Sequence, residues 1–174
     1  MIKQLFKRKD KEKEIVQPLA VGTHAPDFSL PATSGGSITL SELRGRPVVL
    51  VFYPADASSV CSSQLALYNE ALHLFEEYEA QIIGISIDGL PSHLAFAESL
   101  KLDYPLLADD DPYGAVSRAY GTYNEGDGIS ERVLYVLDAD GIVRWRYLSP
   151  RKVNPGANGI LDALESLVDP APIT

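Results

Sequence analysis

The order of apolar and polar residues along the chain alternates between the pattern of strands and the pattern of amphipathic helices. Apolar runs rich in β-branched residues predict strands, the strongest of which should be buried on both faces. They cover residues 47–53, 81–88, 104–108, 131–138 and 142–147. Apolar residues spaced three or four apart predict helices, which cover residues 58–79, 91–101, 112–120 and a final segment that includes 160–167.

Turn residues predict how these elements connect. Residues 35–36 are both glycine and separate two short extended segments, 25–30 and 37–40, which therefore form a predicted hairpin. The Ala-Asp-Gly sequence at 139–141 joins the last two strands as a second hairpin. The resulting order of elements predicts an α/β fold with a central mixed sheet, helices on both of its faces and an N-terminal hairpin.

An aspartate or asparagine followed by proline is typical of a helix N-terminus, where the first residue caps the helix and the proline begins it. Asp111-Pro112 and Asn154-Pro155 are predicted to begin the third and last helices in this way. The run of three aspartates at 109–111 could instead suggest a metal site. Adjacent side chains diverge, however, and no EF-hand spacing follows, so we predict a loop, a helix cap and no metal.

Length and charge divide the chain into a body and two ends. Its 174 residues are enough for one domain with a buried core. Residues 1–13 carry six basic and two acidic residues, whereas the rest of the chain carries nine basic and 22 acidic ones. We predict a charged leader at 1–19, a domain at 20–169 and a tail at 170–174. The leader is most simply a solvated extension, although it could also touch an anionic membrane surface.

Composition argues against several classes of protein. The acidic body lacks the clustered lysine and arginine that nucleic-acid binding requires. No transmembrane helix or secretory signal is predicted, because the apolar stretches are too short. The three histidines match no metal-ligand spacing, so each is predicted to be an ordinary residue. The single cysteine excludes an intramolecular disulfide and a Cys-x-x-Cys pair, and it fits a reducing compartment such as the cytoplasm.

Cys61, the only cysteine, stands where the strongest predicted strand gives way to a helix. The strand breaks at Pro54, whose ring fixes the backbone, and Ser58 lies one helical turn before Cys61. A thiol in the first turn of a helix is close to backbone N–H groups and to the positive end of the helix dipole, which favour the nucleophilic thiolate. The alternative is a buried structural thiol, with Ser58 acting as a helix cap.

The segment from Tyr53 to Cys61 resembles the signature of the peroxiredoxin family, which is Pro-x-x-x-Thr/Ser-x-x-Cys preceded by Phe-Tyr. The resemblance extends over roughly residues 20–168. Its further landmarks lie at 22–30, 105–109, 119–121 and 132–141. Membership of this family implies a thioredoxin-like fold and the thiol-dependent reduction of hydroperoxides.

The resemblance also implies roles for individual residues. Cys61 would be the peroxidatic nucleophile, which attacks the peroxide and becomes a sulfenic acid. Arg132 would stabilise the thiolate and the charge that develops in the transition state. Ser58 would bind the thiolate or a peroxide oxygen, and Pro54 would shield the thiolate from water.

Two further residues complete the predicted site. Tyr53 is expected to line the substrate pocket. Gln64 falls where the family carries a polar residue, commonly glutamate, that helps to orient the arginine. For Arg132 itself, the alternative is a surface arginine paired with Glu131 or another neighbour.

The chain departs from much of the family in having no second cysteine, either five residues after Cys61, where Ala66 stands, or near the C-terminus. The sulfenic acid is therefore expected to react with an external thiol, which is either a small thiol or a redoxin. This resembles the single-cysteine, bacterioferritin-comigratory-like branch. We predict no cofactor, and a homodimer is a further expectation because dimers are common in the family. The alternative function is a non-catalytic thioredoxin-like module that binds a partner or senses redox state.

Overall fold

The computed structural model describes residues 16–168, whose secondary structure begins with two short strands. These are β1 (Ser29–Pro31) and β2 (Ser37–Thr39), which pair antiparallel across the glycine turn at 35–36. A 3-10 turn follows at Leu40–Leu43. The predicted N-terminal hairpin is therefore confirmed, while most of the predicted leader and the C-terminal tail lie outside the described residues.

The body of the protein alternates strands and helices as the apolar pattern predicts. Its strands are β3 (Val48–Phe52), β4 (Gln81–Ser86), β5 (Leu106–Ala108), β6 (Tyr123–Asn124), β7 (Ile129–Ser130), β8 (Arg132–Leu137) and β9 (Val143–Ser149). Its helices are α1 (Ser59–Glu70), α2 (Leu72–Glu76), α3 (Leu90–Leu100), α4 (Ala115–Ala119) and α5 (Asn158–Val168). The β6–β7 hairpin is absent from the prediction because strands of two residues are too short to show a period. Within 16–168, no helix has the length and apolar character needed to cross a bilayer.

Five strands form the central sheet in the order β5-β4-β3-β8-β9. β3, β4 and β5 are parallel, whereas β8 and β9 are antiparallel to their neighbours, so the sheet is mixed as predicted. All residues of β3 and β8 are buried, because a hydrophobic cluster covers each face of the sheet. One cluster includes residues of α1, α3 and α5, and the other includes residues of the N-terminal hairpin and α4.

The third and last helices of the prediction begin later than expected, because a left-handed glycine precedes each of them. Gly114 has a φ of +70° and Gly156 has a φ of +68°, and a right-handed helix cannot continue through such a residue. α4 and α5 therefore start after these glycines, and the caps predicted at Asp111 and Asn154 are wrong. The first turn of α4 instead donates two backbone N–H groups to the carboxylate of Asp109.

The long helix predicted at 58–79 is interrupted in the structure. Ala71, with φ −86° and ψ 2°, leaves helical geometry and separates α1 from α2. Glu79 has a φ of +55°, which ends the helical segment before β4. The prediction of one continuous helix is therefore wrong, because the apolar stripe continues across a break that the side-chain pattern does not reveal.

The residues just before the N-terminal hairpin lie against the body of the protein. The N–H of Leu19 donates to the hydroxyl of Tyr135 at 2.9 Å. Gly121, whose φ is +67°, lies directly beside this segment, and a Cβ at that position would be 1.9 Å from the carbonyl oxygen of Gln17. Both the backbone conformation and the close approach therefore require glycine at position 121.

Replacing Gly121 with alanine should lower the free energy of unfolding by more than the roughly 1–2 kcal/mol that a left-handed conformation costs an ordinary residue. The additional loss arises because the segment around Gln17 must move. Gly128 has the same φ of +67°, with only the Tyr123 hydroxyl near its Cβ position at 3.8 Å, so Gly128→Ala is the matched control. Denaturant unfolding monitored by circular dichroism measures both losses, and equal losses would contradict the predicted role of this contact.

Candidate active site

The predicted nucleophile lies at the junction between the central strand and α1. β3 ends at Phe52, and the next two residues, Tyr53 and Pro54, are also buried. A loop at 55–58 then leads into α1, whose first turn contains Cys61. This is the carboxyl end of the parallel strands, which is where open α/β sheets place their binding sites.

Ser58 caps α1 and sets the geometry of its first turn. Its backbone is extended, with φ −71° and ψ 146°, and its Oγ accepts a hydrogen bond of 3.1 Å from the N–H of Cys61. The carbonyl of Ser58 accepts a second bond, of 2.8 Å, from the N–H of Ser62. The Cys61 N–H is therefore engaged by the cap, whereas the hydroxyl proton of Ser58 is still available for a thiolate or a peroxide oxygen.

Arg132 reaches the thiol from β8, the strand beside β3. Because β8 is antiparallel to β3 and pairs Val133 with Phe52, Arg132 lies at the end of β3 that leads to the loop and α1. Its Nη1 and Nη2 atoms are 3.4 and 3.5 Å from the sulfur of Cys61. Arg132 is 1% exposed and Cys61 is 0% exposed, so this contact is closed off from solvent. The alternative of a surface arginine is therefore wrong.

The guanidinium of Arg132 is held by acceptors that carry no formal charge. Besides the thiol, these are the Oε1 of Gln64, 2.5 Å from Nη1, and the carbonyl of Arg151, 2.9 Å from Nη2. The Nε of Arg132 is buried and has no hydrogen-bond partner within the described part of the chain. A buried charge without a counter-ion costs several kcal/mol, so the guanidinium favours an anion at the adjacent sulfur.

The strength of this effect follows from the short distance. Opposite unit charges separated by the 3.4 Å between Nη1 and the sulfur attract each other by on the order of 5 kcal/mol at an effective dielectric constant of about 20. The helix dipole of α1 acts in the same direction, because Cys61 lies in the first turn of that helix. The guanidinium and the helix dipole therefore both act in favour of an anion at the sulfur, whereas burial of the sulfur acts against it.

Gln64 is oriented by a chain of hydrogen bonds that reaches the segment before α5. Its Nε2 donates to the hydroxyl of Tyr68 at 3.1 Å, and this hydroxyl donates to the carbonyl of Gly156 at 3.0 Å. Burial raises the pKa of Tyr68 to about 12, which keeps its hydroxyl protonated. These hydrogen bonds fix the amide of Gln64 so that its oxygen faces Arg132. The structure thus brings Gln64 and Arg132, both predicted site residues, together.

The carbonyl of Arg151 is placed by ion pairs of its own side chain. The Arg151 guanidinium donates to Glu131 at 2.8 and 2.5 Å and to Asp127 at 2.7 Å. Hydrogen bonding to Glu131 is the main cause that raises the pKa of Arg151. Burial acts to raise the pKa of Glu131, but bonds from Arg151 and Asn124 hold it below its ordinary value. Glu131 therefore fixes the loop that binds Arg132 and does not pair with Arg132 itself.

The side chain of Tyr53 is directed to a different buried network. Its ring belongs to the same hydrophobic cluster as Cys61, but its hydroxyl donates to Asp56 at 2.7 Å and lies 3.3 Å from Nδ1 of His93. His93, predicted to be ordinary, is fully buried and hydrogen-bonded through both ring nitrogens. The one sequence signal that could have revealed it is its position three residues before Phe96, which shares the buried face of α3.

Comparison with known proteins gives matches over most of the domain. Residues 21–146 match the AhpC/TSA family. Alkyl hydroperoxide reductase E of Mycobacterium tuberculosis is 38% identical over 128 residues, which are 73% of this chain and 84% of the relative. The chloroplastic peroxiredoxin Q of Suaeda salsa is 34% identical over 154 residues, covering 88% of this chain and 71% of the relative. The crystal structure of peroxidoxin BcpB from Mycobacterium tuberculosis has a TM-score of 0.77 at 31% identity and covers 84% of this chain and 97% of that one.

These likenesses extend far beyond the segment around Cys61. They include the central sheet and the helices on its faces, so the fold is thioredoxin-like as predicted. The relatives named as peroxiredoxins and alkyl hydroperoxide reductases align with more than two thirds of the chain, at 32%, 38% and 34% identity. The chain therefore belongs to the AhpC/TSA family and is a thiol-dependent peroxidase of the peroxiredoxin type.

Proposed function

We propose that the chain reduces hydrogen peroxide or organic hydroperoxides through Cys61, with Arg132 as the residue that favours its thiolate. The observation that carries this proposal is the buried 3.4 Å contact between Arg132 and the sulfur, in which the guanidinium has no carboxylate partner among residues 16–168. The thiolate is the nucleophilic form of cysteine. The relative named alkyl hydroperoxide reductase E supports hydroperoxides as the substrate class.

In the proposed reaction, the thiolate attacks the terminal oxygen of ROOH. A sulfur–oxygen bond forms while the oxygen–oxygen bond breaks, so the sulfur is oxidised by two electrons and the peroxide is reduced by two. Cys61 keeps the transferred OH group as a sulfenic acid. The RO⁻ leaving group takes a proton and departs as an alcohol, or as water when R is hydrogen. Negative charge moves from sulfur to the leaving oxygen, and a fixed guanidinium beside the reacting atoms stabilises it.

Neighbouring side chains support this reaction in distinct ways. The hydroxyl of Ser58, which caps α1 through its oxygen, is proposed to donate to the thiolate or to the peroxide. Pro54 is buried at the start of the loop and is proposed to keep water from the sulfur. Gln64 orients the guanidinium through its 2.5 Å contact, and Tyr53 is proposed to contribute its buried ring to the wall of the site.

Regeneration of the enzyme is proposed to use a thiol from another molecule, because the sequence contains one cysteine. This thiol attacks the sulfenic sulfur, displaces the OH group as water and forms a mixed disulfide. A second thiol then releases Cys61 and leaves as part of a disulfide. Since Cys61 is fully buried, the first turn of α1 must move before a reductant can reach the sulfur.

A compartment and an oligomeric state are also proposed. A reducing compartment such as the cytoplasm supplies the required thiols. A homodimer is supported by the exposed Tyr147 and Leu148 on β9, which is an edge strand of the central sheet. Edge strands with exposed apolar side chains are surfaces to which a second chain can bind.

One equivalent of hydrogen peroxide in the presence of dimedone should add one dimedone group per chain, located at Cys61, because this reagent traps a sulfenic acid. Intact mass and peptide mapping detect the adduct. Cys61→Ser should give no adduct and no thiol-dependent consumption of peroxide. If the wild-type thiol survives peroxide unchanged, the proposal is wrong and the alternative of a non-catalytic module is favoured.

Arg132→Lys retains the charge but cannot bind the sulfur, Gln64 and the Arg151 carbonyl at once. Both Arg132→Lys and Arg132→Met should lower the second-order rate constant for peroxide, the latter by about 10²–10³-fold, as when a transition-state donor is removed. Single-turnover competition kinetics measure this constant. Arg118→Lys, on the exposed face of α4, is the control and should react at the wild-type rate. Wild-type rates in Arg132→Met would contradict the assignment.

Gln64→Glu introduces a carboxylate where the amide oxygen now contacts Arg132 at 2.5 Å. The new carboxylate becomes a counter-ion of the guanidinium, so the thiolate of Cys61 gains less from it. The pH midpoint of the ultraviolet thiolate absorbance should therefore rise, and the rate with peroxide at neutral pH should fall. Gln81→Glu, at the start of β4, controls for the change in net charge. An unchanged midpoint in Gln64→Glu would show that another group stabilises the thiolate.

A further inference from the structure

A second buried network lies beside the loop that precedes Cys61. The ring of His93, on α3, is 0% exposed. Its Nδ1 is 2.8 and 3.0 Å from the two carboxylate oxygens of Asp56, and its Nε2 is 3.0 Å from the carbonyl oxygen of Leu107. The proposed peroxidase reaction uses neither Asp56 nor His93, so the position of this pair requires its own explanation.

The ring of His93 is held through both of its nitrogens, Nδ1 by the Asp56 carboxylate and Nε2 by the Leu107 carbonyl. Burial acts to raise the pKa of Asp56, but hydrogen bonds from His93, Tyr53 and Ser92 outweigh it and hold the pKa below its ordinary value. Asp56 and His93 thus form a buried hydrogen-bonded pair.

Asp56 connects the loop at 55–58 to three separate elements. Besides His93 on α3, its carboxylate accepts from the hydroxyl of Tyr53 at the end of β3 and from the hydroxyl of Ser92, each at 2.7 Å. Its backbone N–H donates to the carboxylate of Asp88, after β4, at 2.9 Å. These bonds fix both the side chain and the backbone of the loop at this residue.

The residue after Asp56 connects this fixed part of the loop to Ser58 and Cys61. Ala57 adopts a left-handed conformation with a φ of +59°, which costs alanine about 1–2 kcal/mol. Such a conformation persists only where the surrounding structure maintains it. The Asp56 bonds hold it from one side, and Ser58, which binds the N–H of Cys61, holds it from the other. A shift of Asp56 would therefore displace Ser58 and the first turn of α1.

We propose that Asp56 and His93 are positioning residues of the peroxidase, which act through the loop at 55–58 to hold Ser58 and Cys61 in their reactive geometry. The inference rests on the proposed function of Cys61. The Asp56 carboxylate carries the connection to the loop, and the ring of His93 holds that carboxylate in place. The bond from the ring to Leu107 anchors the ring to β5 but does not reach the loop.

Two substitutions of His93 separate these contacts, because each keeps one of them. The amide nitrogen of asparagine takes the place of Nδ1 and can donate to Asp56, whereas that of glutamine reaches the place of Nε2 and can donate to Leu107. His93→Gln should lower the second-order rate constant for peroxide about 100-fold, and His93→Asn by no more than about tenfold, as expected when a reacting group is displaced. Alkylation of Cys61 by iodoacetamide needs no positioned Ser58, and it should not fall in either variant, because a displaced first turn of α1 opens the buried sulfur to the reagent.

A further variant and its combination with His93→Gln test the pair itself. Asp56→Asn should reduce the peroxide rate as His93→Gln does, and combining the two should give little additional loss, because both remove one shared interaction. His24→Asn, which replaces an exposed histidine, is the control and should react as the wild type does.

The outcomes distinguish the inference from the function on which it rests. Equal losses in His93→Asn and His93→Gln, or parallel losses of peroxide reaction and alkylation, would show that the pair only stabilises the fold. Fully additive losses of Asp56→Asn and His93→Gln in the double variant would overturn the shared role of the pair directly. A wild-type Cys61 that does not react with peroxide would instead refute the proposed function, and the positioning role with it.

Discussion

The contact between the Arg132 guanidinium and the Cys61 sulfur is the interaction on which the site depends. It places a permanent charge in a region closed off from solvent, where the other acceptors of that charge are an amide oxygen and a backbone carbonyl. A buried charge without a counter-ion is costly. In the proposed reaction, the guanidinium therefore acts in favour of negative charge at the cysteine and at the leaving oxygen.

The surrounding structure holds each side of this contact separately. The arginine side depends on Gln64, Tyr68 and the Arg151 loop, all fixed by further hydrogen bonds and ion pairs. The cysteine side depends on the Ser58 cap and on the loop anchored through Asp56. Cys61 lies in the helix that follows β3 and Arg132 begins β8, so the relative position of these two residues is set by the pairing of β3 with β8.

The sequence predicts this architecture well where local pattern and packing agree. The apolar run of β3 and the paired glycines at 35–36 define elements that the structure contains. The prediction from sequence fails where a left-handed glycine prevents a helix from starting at a plausible cap, as at Gly114 and Gly156. Whether a glycine is left-handed depends on tertiary contacts that the sequence does not display.

The sequence likewise predicts some contacts of the site and not others. The Ser58 cap follows from local spacing, but the pairing of Cys61 with Arg132 spans 71 positions of the chain, and only the resemblance to a family suggested it. The pair of His93 and Asp56 was missed, because a histidine on a buried helical face does not reveal which loop will meet it.

The lack of a carboxylate beside Arg132 in the described residues 16–168 has a last consequence. Where the sulfenic acid is in its neutral form, the guanidinium lacks a counter-ion, and opening of the site to water then becomes more favourable. Oxidation would in this way weaken the enclosure that protects the thiolate, at the moment when the reductant has to enter.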